Sequence, residues 1–138
     1  MVSEFDYPAW VILAFGIYSF AAGVGELRSP GFWASMIDNI DKNPAVRFLA
    51  GIILIAIGTP LYLMGPWSDA DWMLVVVKII GAGMILEGAL FLAFGDWFTR
   101  FARWLMGYAS RLWVWIAILF GIAAIILAEL RIADTAQI

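Results

Sequence analysis

The chain has 138 residues, 64% of them hydrophobic and 14% charged, with a formal net charge of −3. Water-soluble domains run at about 45–50% apolar and about 25% charged, and a chain this short cannot hide the excess in one core, so the excess must face lipid. Cys and His are both absent, which excludes disulfides, thiol nucleophiles, Cys/His zinc sites, His-ligated haem and the commonest acid–base side chain.

The acidic start, Met-Val-Ser-Glu-Phe-Asp, is wrong for the n-region of a signal peptide, so the first helix is expected to stay in the mature protein. Tyr7-Pro8-Ala9-Trp10 opens the first span. Its proline suits a first helical turn, and Tyr7 and Trp10 suit the headgroup level. Apolar character runs to about Gly25, roughly 20 residues and enough to cross about 30 Å of hydrocarbon. Ser29-Pro30 predicts an N-cap and first position of a short helix. Phe32, Trp33, Met36, Ile37 and Ile40 fall on one side of it, with Ser35, Asp38, Asn39 and Asp41 on the other. Such a helix is too short to span and suits the membrane interface.

Asn43-Pro44 repeats the cap-plus-proline device and opens a second span to about Met64. Pro60 is expected to kink it and Gly65-Pro66 to stop it. Ser68 and Asp71 resemble a capping box that opens a third span to about Phe94, with Gly95 ending it. Trp97, Phe101, Trp104, Leu105 and Tyr108 then predict a second interfacial helix, with Arg100 and Arg103 opposite. Ser110-Arg111 begins a fourth span to about Leu130. The expected architecture is an all-α integral membrane protein in a single membrane domain. Its four transmembrane helices form two parallel helical hairpins, residues 7–65 and 69–131, each with an amphipathic interfacial loop helix.

The loops bearing the interfacial helices hold Arg28, Lys42, Arg47, Arg100, Arg103 and Arg111, whereas the other side holds Arg131 and, a turn or two into the third span, Lys78. The positive-inside rule then predicts cytoplasmic interfacial helices and both termini outside. The two halves read as copies with the same orientation. Gly31-Phe32-Trp33 matches Gly95-Asp96-Trp97, and Arg47 matches Arg111, each 64 positions on. Gly51 and Gly121 both lie inside the returning helix, paired only by a shifted alignment. Trp10, Trp33, Trp67, Trp72, Trp97, Trp104, Trp113 and Trp115 fall near span ends or on interfacial helices, the pattern of aromatic belts.

At Leu86-Glu87-Gly88, Trp97, Arg111 and the glycine-bearing return helix, residues 79–131 resemble the small two-helix bacterial inner-membrane proteins of unknown function. These are often encoded near prohibitin-like regulators of a membrane protease. The first half resembles a diverged second copy, with Ala22-Gly23 where Glu87-Gly88 stands and with Asn43-Pro44-Ala45-Val46-Arg47 as the inter-helix segment. The resemblance implies a bacterial inner membrane and an accessory place beside a larger complex. It carries no activity to transfer.

Glu87 is the candidate intramembrane polar site, about 8 residues from the end of its helix and so roughly 12 Å deep. It is either a proton or cation site, or a protonated or hydrogen-bonded packing device. Lys78 lies almost opposite on the same helix, cannot pair with it, and is expected to snorkel to the surface. Gly81 and Gly88, the stripe Gly16, Ser19 and Gly23, and the stripe Ala117, Gly121, Ala124 and Ala128 are candidate helix-packing positions, within the bundle or against a partner. Gly81-x-Gly83 is not a nucleotide fingerprint, because it lies in a membrane helix. Arg100, Arg103 and Arg111 are candidate lipid-facing basic residues, or ordinary topology determinants.

Three functions compete on these residues: a non-enzymatic accessory or structural subunit, a small transporter or channel subunit using Glu87, and a membrane enzyme. The absence of His, Cys and any cluster of polar residues ranks the enzyme last. No cofactor and no nucleic-acid partner is expected. The expected partners are the lipid bilayer and other membrane subunits or further copies of the chain.

Overall fold

The computed structural model describes residues 5–67 and 70–137, with the backbone alone for residues 108–110. Its elements are α1 (Tyr7–Arg28), α2 (Phe32–Lys42), α3 (Pro44–Leu63) and α4 (Trp72–Ala136), with no strand among the described residues. Four stretches are long and apolar enough to span a membrane: Tyr7–Arg28, Pro44–Leu63, Trp72–Gly107 and Arg111–Ala136. In an apolar 18-residue stretch of each, only 17–28% is buried inside the protein, so most of these residues are left for lipid or for partners. The chain is an all-α, multi-pass membrane protein.

Local chemistry explains most helix starts. Asp6 caps α1, its Oδ1 accepting the Ala9 N–H at 3.3 Å, and Pro8 sits where a missing N–H costs nothing. Asn43 caps α3 in the same way, accepting from the N–H groups of Ala45 at 3.1 Å and Val46 at 3.3 Å. Gly65, with φ +68°, follows the end of α3 in the left-handed conformation that stops a helix, and the helix runs unbroken through Pro60.

Three expectations need correction. Ser29-Pro30 does not start α2: Ser29 closes α1, its N–H donating to Gly25 O at 3.0 Å, and Gly31 at φ +92° precedes α2. That φ strains any residue with a Cβ, so the glycine rather than the serine sets the start. Asp71 is itself the cap of α4, its Oδ1 accepting the Leu74 N–H at 3.2 Å, while Ser68 lies outside the described residues. Gly95 does not end a helix. Its φ is not positive, and α4 continues through it and through the predicted second interfacial segment to Ala136. A glycine stops a helix only when it turns left-handed.

The chain divides into two compact units. Unit 1 joins α1 to the second half of α4, from Arg111 on. Unit 2, residues 30–110, joins α2, α3 and the first half of α4. Each unit therefore takes one span from each of the chain-order hairpins 7–65 and 69–131.

Candidate functional site

Each unit is held by helices that approach through glycine. In unit 2, Gly81 lies against Gly58: a Cβ on Gly81 would stand 2.7 Å from Gly58 O and 2.6 Å from Tyr62 N. One on Gly88 would stand 2.6 Å from Gly51 O and 2.8 Å from Ile55 Cγ1. Real Cβ atoms do not come so close, so these glycines set the distance between α3 and α4. In unit 1, a Cβ on Gly121 would stand 2.8 Å from Gly16 O and 2.6 Å from Phe20 N, and one on Gly23 would stand 2.6 Å from Ile118 Cγ1. Ala124 is 6% exposed and Ala128 fully buried, and Ala117 O accepts the Ser19 hydroxyl at 2.8 Å. The small residues singled out in the sequence thus lie at helix contacts inside the two units. Gly51 and Gly58 complete the unit 2 contact. Their signal was the seven-residue spacing shared by Gly16 and Gly23, Gly51 and Gly58, and Gly81 and Gly88.

The two sets of contacts correspond number by number. Adding 65 to α1 positions and 63 to positions of the fourth span's counterpart, α3, relates them. Gly16 against Ala124 and Ile125 matches Gly81 against Leu61 and Tyr62. Gly121 against Gly16 and Phe20 matches Gly58 against Gly81 and Ile85. Gly23 against Val114 and Ile118 matches Gly88 against Gly51 and Ile55. The caps follow the same offset, Asp6 to Ala9 matching Asp71 to Leu74. Gly121 makes the contacts of Gly58 rather than those of Gly51.

Glu87 stands beside this contact but points away from it. Gly81, Gly88 and Leu92 meet α3, whereas Glu87 is exposed, with exposed Gly83 one turn before it and exposed Phe94 two turns after it. Nothing lies within 4 Å of a Cβ built on Gly83, so the backbone beside the acid is open to a close approach. The corresponding position in unit 1 is Ala22. Unit 1 has its own acid, Glu26, which is 8% exposed near the end of α1. Glu26 follows the apolar run that ends at about Gly25, so nothing in the sequence signalled its burial.

Lys78 departs from expectation. It is 3% exposed, its Nζ donates to Tyr62 O at 2.6 Å, and it lies 5.5 and 5.4 Å from the ring centres of Tyr62 and Trp67. The reason is local chemistry at the end of α3. The helical donor for Tyr62 O would be the nitrogen of residue 66, which is a proline and has no N–H. The ammonium supplies that donor at the negative end of the α3 dipole, instead of snorkelling to the surface. In unit 1 the matching end is closed by Arg131, whose Nε and Nη2 donate to Asp6 Oδ2 at 2.6 Å and Oδ1 at 3.1 Å.

At its other end unit 2 carries a polar knot. Thr99, 1% exposed, donates its hydroxyl to Asp41 Oδ1 at 2.6 Å, and Arg103 Nη2 donates to Asp41 Oδ2 at 2.9 Å and lies 3.0 Å from Asp38 Oδ1. Arg47 lies 3.8 Å from Asp41, and its side chain crosses Gly95 in close contact. The hydrogen bonds from Thr99 and Arg103, with the charges of Arg103 and Arg47, hold the Asp41 carboxyl below its ordinary range. Arg103 is therefore turned to α2 rather than to lipid. Arg100 is exposed, with Asp96 3.5 Å away, and Arg111 is exposed. No family model, curated protein or solved structure matches this chain.

Proposed function

We propose that the chain is a non-enzymatic accessory or structural subunit of a larger assembly in a bacterial inner membrane. The observation that carries the reading is Glu87. It is an exposed acid on a membrane-spanning helix, turned away from that helix's glycine contact and set beside an open glycine. A carboxyl group facing hydrocarbon is costly and calls for a partner group, and Gly83 gives a partner helix room to approach. The resemblance of residues 79–131 to small two-helix inner-membrane proteins supports the same role. The matched contacts of the two units support an internal repeat, a two-helix ancestor duplicated with the same orientation. The clustering of Arg28, Lys42, Arg47, Arg100, Arg103 and Arg111 supports cytoplasmic loops and periplasmic termini. Purification from native membranes in mild detergent tests the reading. A membrane subunit is expected to travel with the wild type at fixed stoichiometry and to be lost from a Glu87→Gln variant. A clean, small monomer contradicts it.

Glu87 also supports a second reading, a small transporter or channel subunit in which the exposed carboxyl group carries a proton or cation. In reconstituted vesicles that reading predicts proton-linked flux abolished by Glu87→Gln. Flux that is absent, or unchanged in the variant, contradicts it.

A further inference from the structure

The first half of α4 carries a groove of about 540 Å³, lined by Leu90, Phe94, Trp97, Phe98, Phe101 and Trp104, with Arg100 on its wall. From Leu90 to Trp104 it runs about 21 Å along the helix at about 1.5 Å per residue. One leaflet contributes about 15 Å of hydrocarbon. The groove is therefore longer than the hydrocarbon of one leaflet, and it passes the level where Arg47 crosses Gly95.

This stretch is built with its polar side inward. Thr99 and Arg103 are taken up by the aspartates of α2, while Trp97 is 70%, Trp104 65% and Phe101 52% exposed. Aromatic surface turned outward around a satisfied polar contact suits an apolar surrounding with a wet edge, the place that amphipathic rings favour. The cation on the wall is held loosely. Arg100 meets the Asp96 carboxylate at 3.5 Å, donates Nε to Asp96 O at 3.3 Å, and keeps 65% of its side chain exposed. An exposed pair of this kind is weak, and the guanidinium has further donors for a phosphate.

We propose that this groove binds an anionic phospholipid, with an acyl chain along Leu90, Phe94 and Phe101 and the phosphate on Arg100. The inference rests on the membrane setting alone and stands whichever reading of Glu87 holds. The full chain, reconstituted in equal phosphatidylglycerol and phosphatidylcholine, is extracted and its retained lipids are counted by native mass spectrometry. The wild type is expected to retain phosphatidylglycerol preferentially by about 5-fold, the scale set by one arginine near an anionic surface. Arg100→Gln is expected to abolish the preference and Arg100→Lys to keep part of it. Arg28→Gln, an exposed arginine outside the groove, is expected to leave it unchanged. Equal retention of both lipids by the wild type overturns the proposal. So does an unchanged preference in Arg100→Gln, an equal loss in Arg28→Gln, or a protein retained in place of lipid.

Discussion

Units 1 and 2 use the same glycine positions but not the same chemistry around them. Unit 2 places glycine on both sides of both crossings, Gly51 with Gly88 and Gly58 with Gly81, so backbone meets backbone twice. Unit 1 does so once, at Gly16 and Gly121. At its other crossing Gly23 meets the Ile118 side chain, and Ser19 adds a hydroxyl bond to Ala117 O. The acids differ more. Glu26 of unit 1 is buried, whereas Glu87 of unit 2 is exposed. A shared packing scaffold thus leaves the outward faces free to diverge, and in unit 2 the divergence places an exposed acid, Glu87, inside a span where unit 1 has Ala22.

The largest effect that separates the units is expected at glycine. Gly88→Ala forces a methyl onto the Gly51 carbonyl, which cannot move without its helix, and should cost about 1–3 kcal/mol by thermal unfolding in detergent. Gly23→Ala meets mainly the Ile118 side chain at Cγ1, which can shift more readily than a backbone carbonyl, and should cost less. Gly83→Ala meets nothing and should be neutral or stabilising by up to about 1 kcal/mol through helix propensity. Equal losses at all three positions break the comparison.

The closures at the helix ends come next. Lys78→Met leaves Tyr62 O without a donor, and Asp6→Asn weakens the two bonds from Arg131. Each should cost about 1–3 kcal/mol, the range for a buried polar group deprived of its partner. Hydrogen exchange should show the loss at the end of α3 for the first variant and at the start of α1 for the second. Loss at the opposite unit in either variant contradicts the pairing.

The smallest effect is the pH response of the knot on α2. Folding holds the Asp41 carboxyl below its ordinary value, so its contribution is fully present above the ordinary aspartate range. That contribution is lost as pH falls through the lowered value. Amides of α2 should therefore lose protection only in acid, below the usual carboxylate titration, and Asp41→Asn should remove that dependence. The described residues of unit 1 hold no counterpart of α2, so its amides should not share the transition.

Hydropathy made the four spans legible, and first-turn prolines made the starts of α1 and α3 legible, because both depend on neighbours in sequence. Gly95 misled because glycine reads as a stop, whereas here it gives room to the side chain of Arg47. Lys78 misled because its acceptor, Tyr62 O, is a carbonyl left open at the end of another helix, across a turn. The small-residue stripes announced close-packed faces, but a stripe does not say which helix it meets. That α1 meets the fourth span, and α3 the third, follows from contacts that no local pattern encodes. Glu87 was legible as an oddity at once, and its outward direction was not.

Because the chain has no cysteine, introduced pairs give a direct test of the claim that one helix pair is built twice. Ser19→Cys with Ala117→Cys lies across unit 1, where the Ser19 hydroxyl meets Ala117 O at 2.8 Å. The same offsets assign Met84→Cys with Leu54→Cys as the matching pair across unit 2. Disulfide formation in native membranes should be comparable for the two pairs. A bridge in unit 1 with none between residues 54 and 84 contradicts the equivalence of the units.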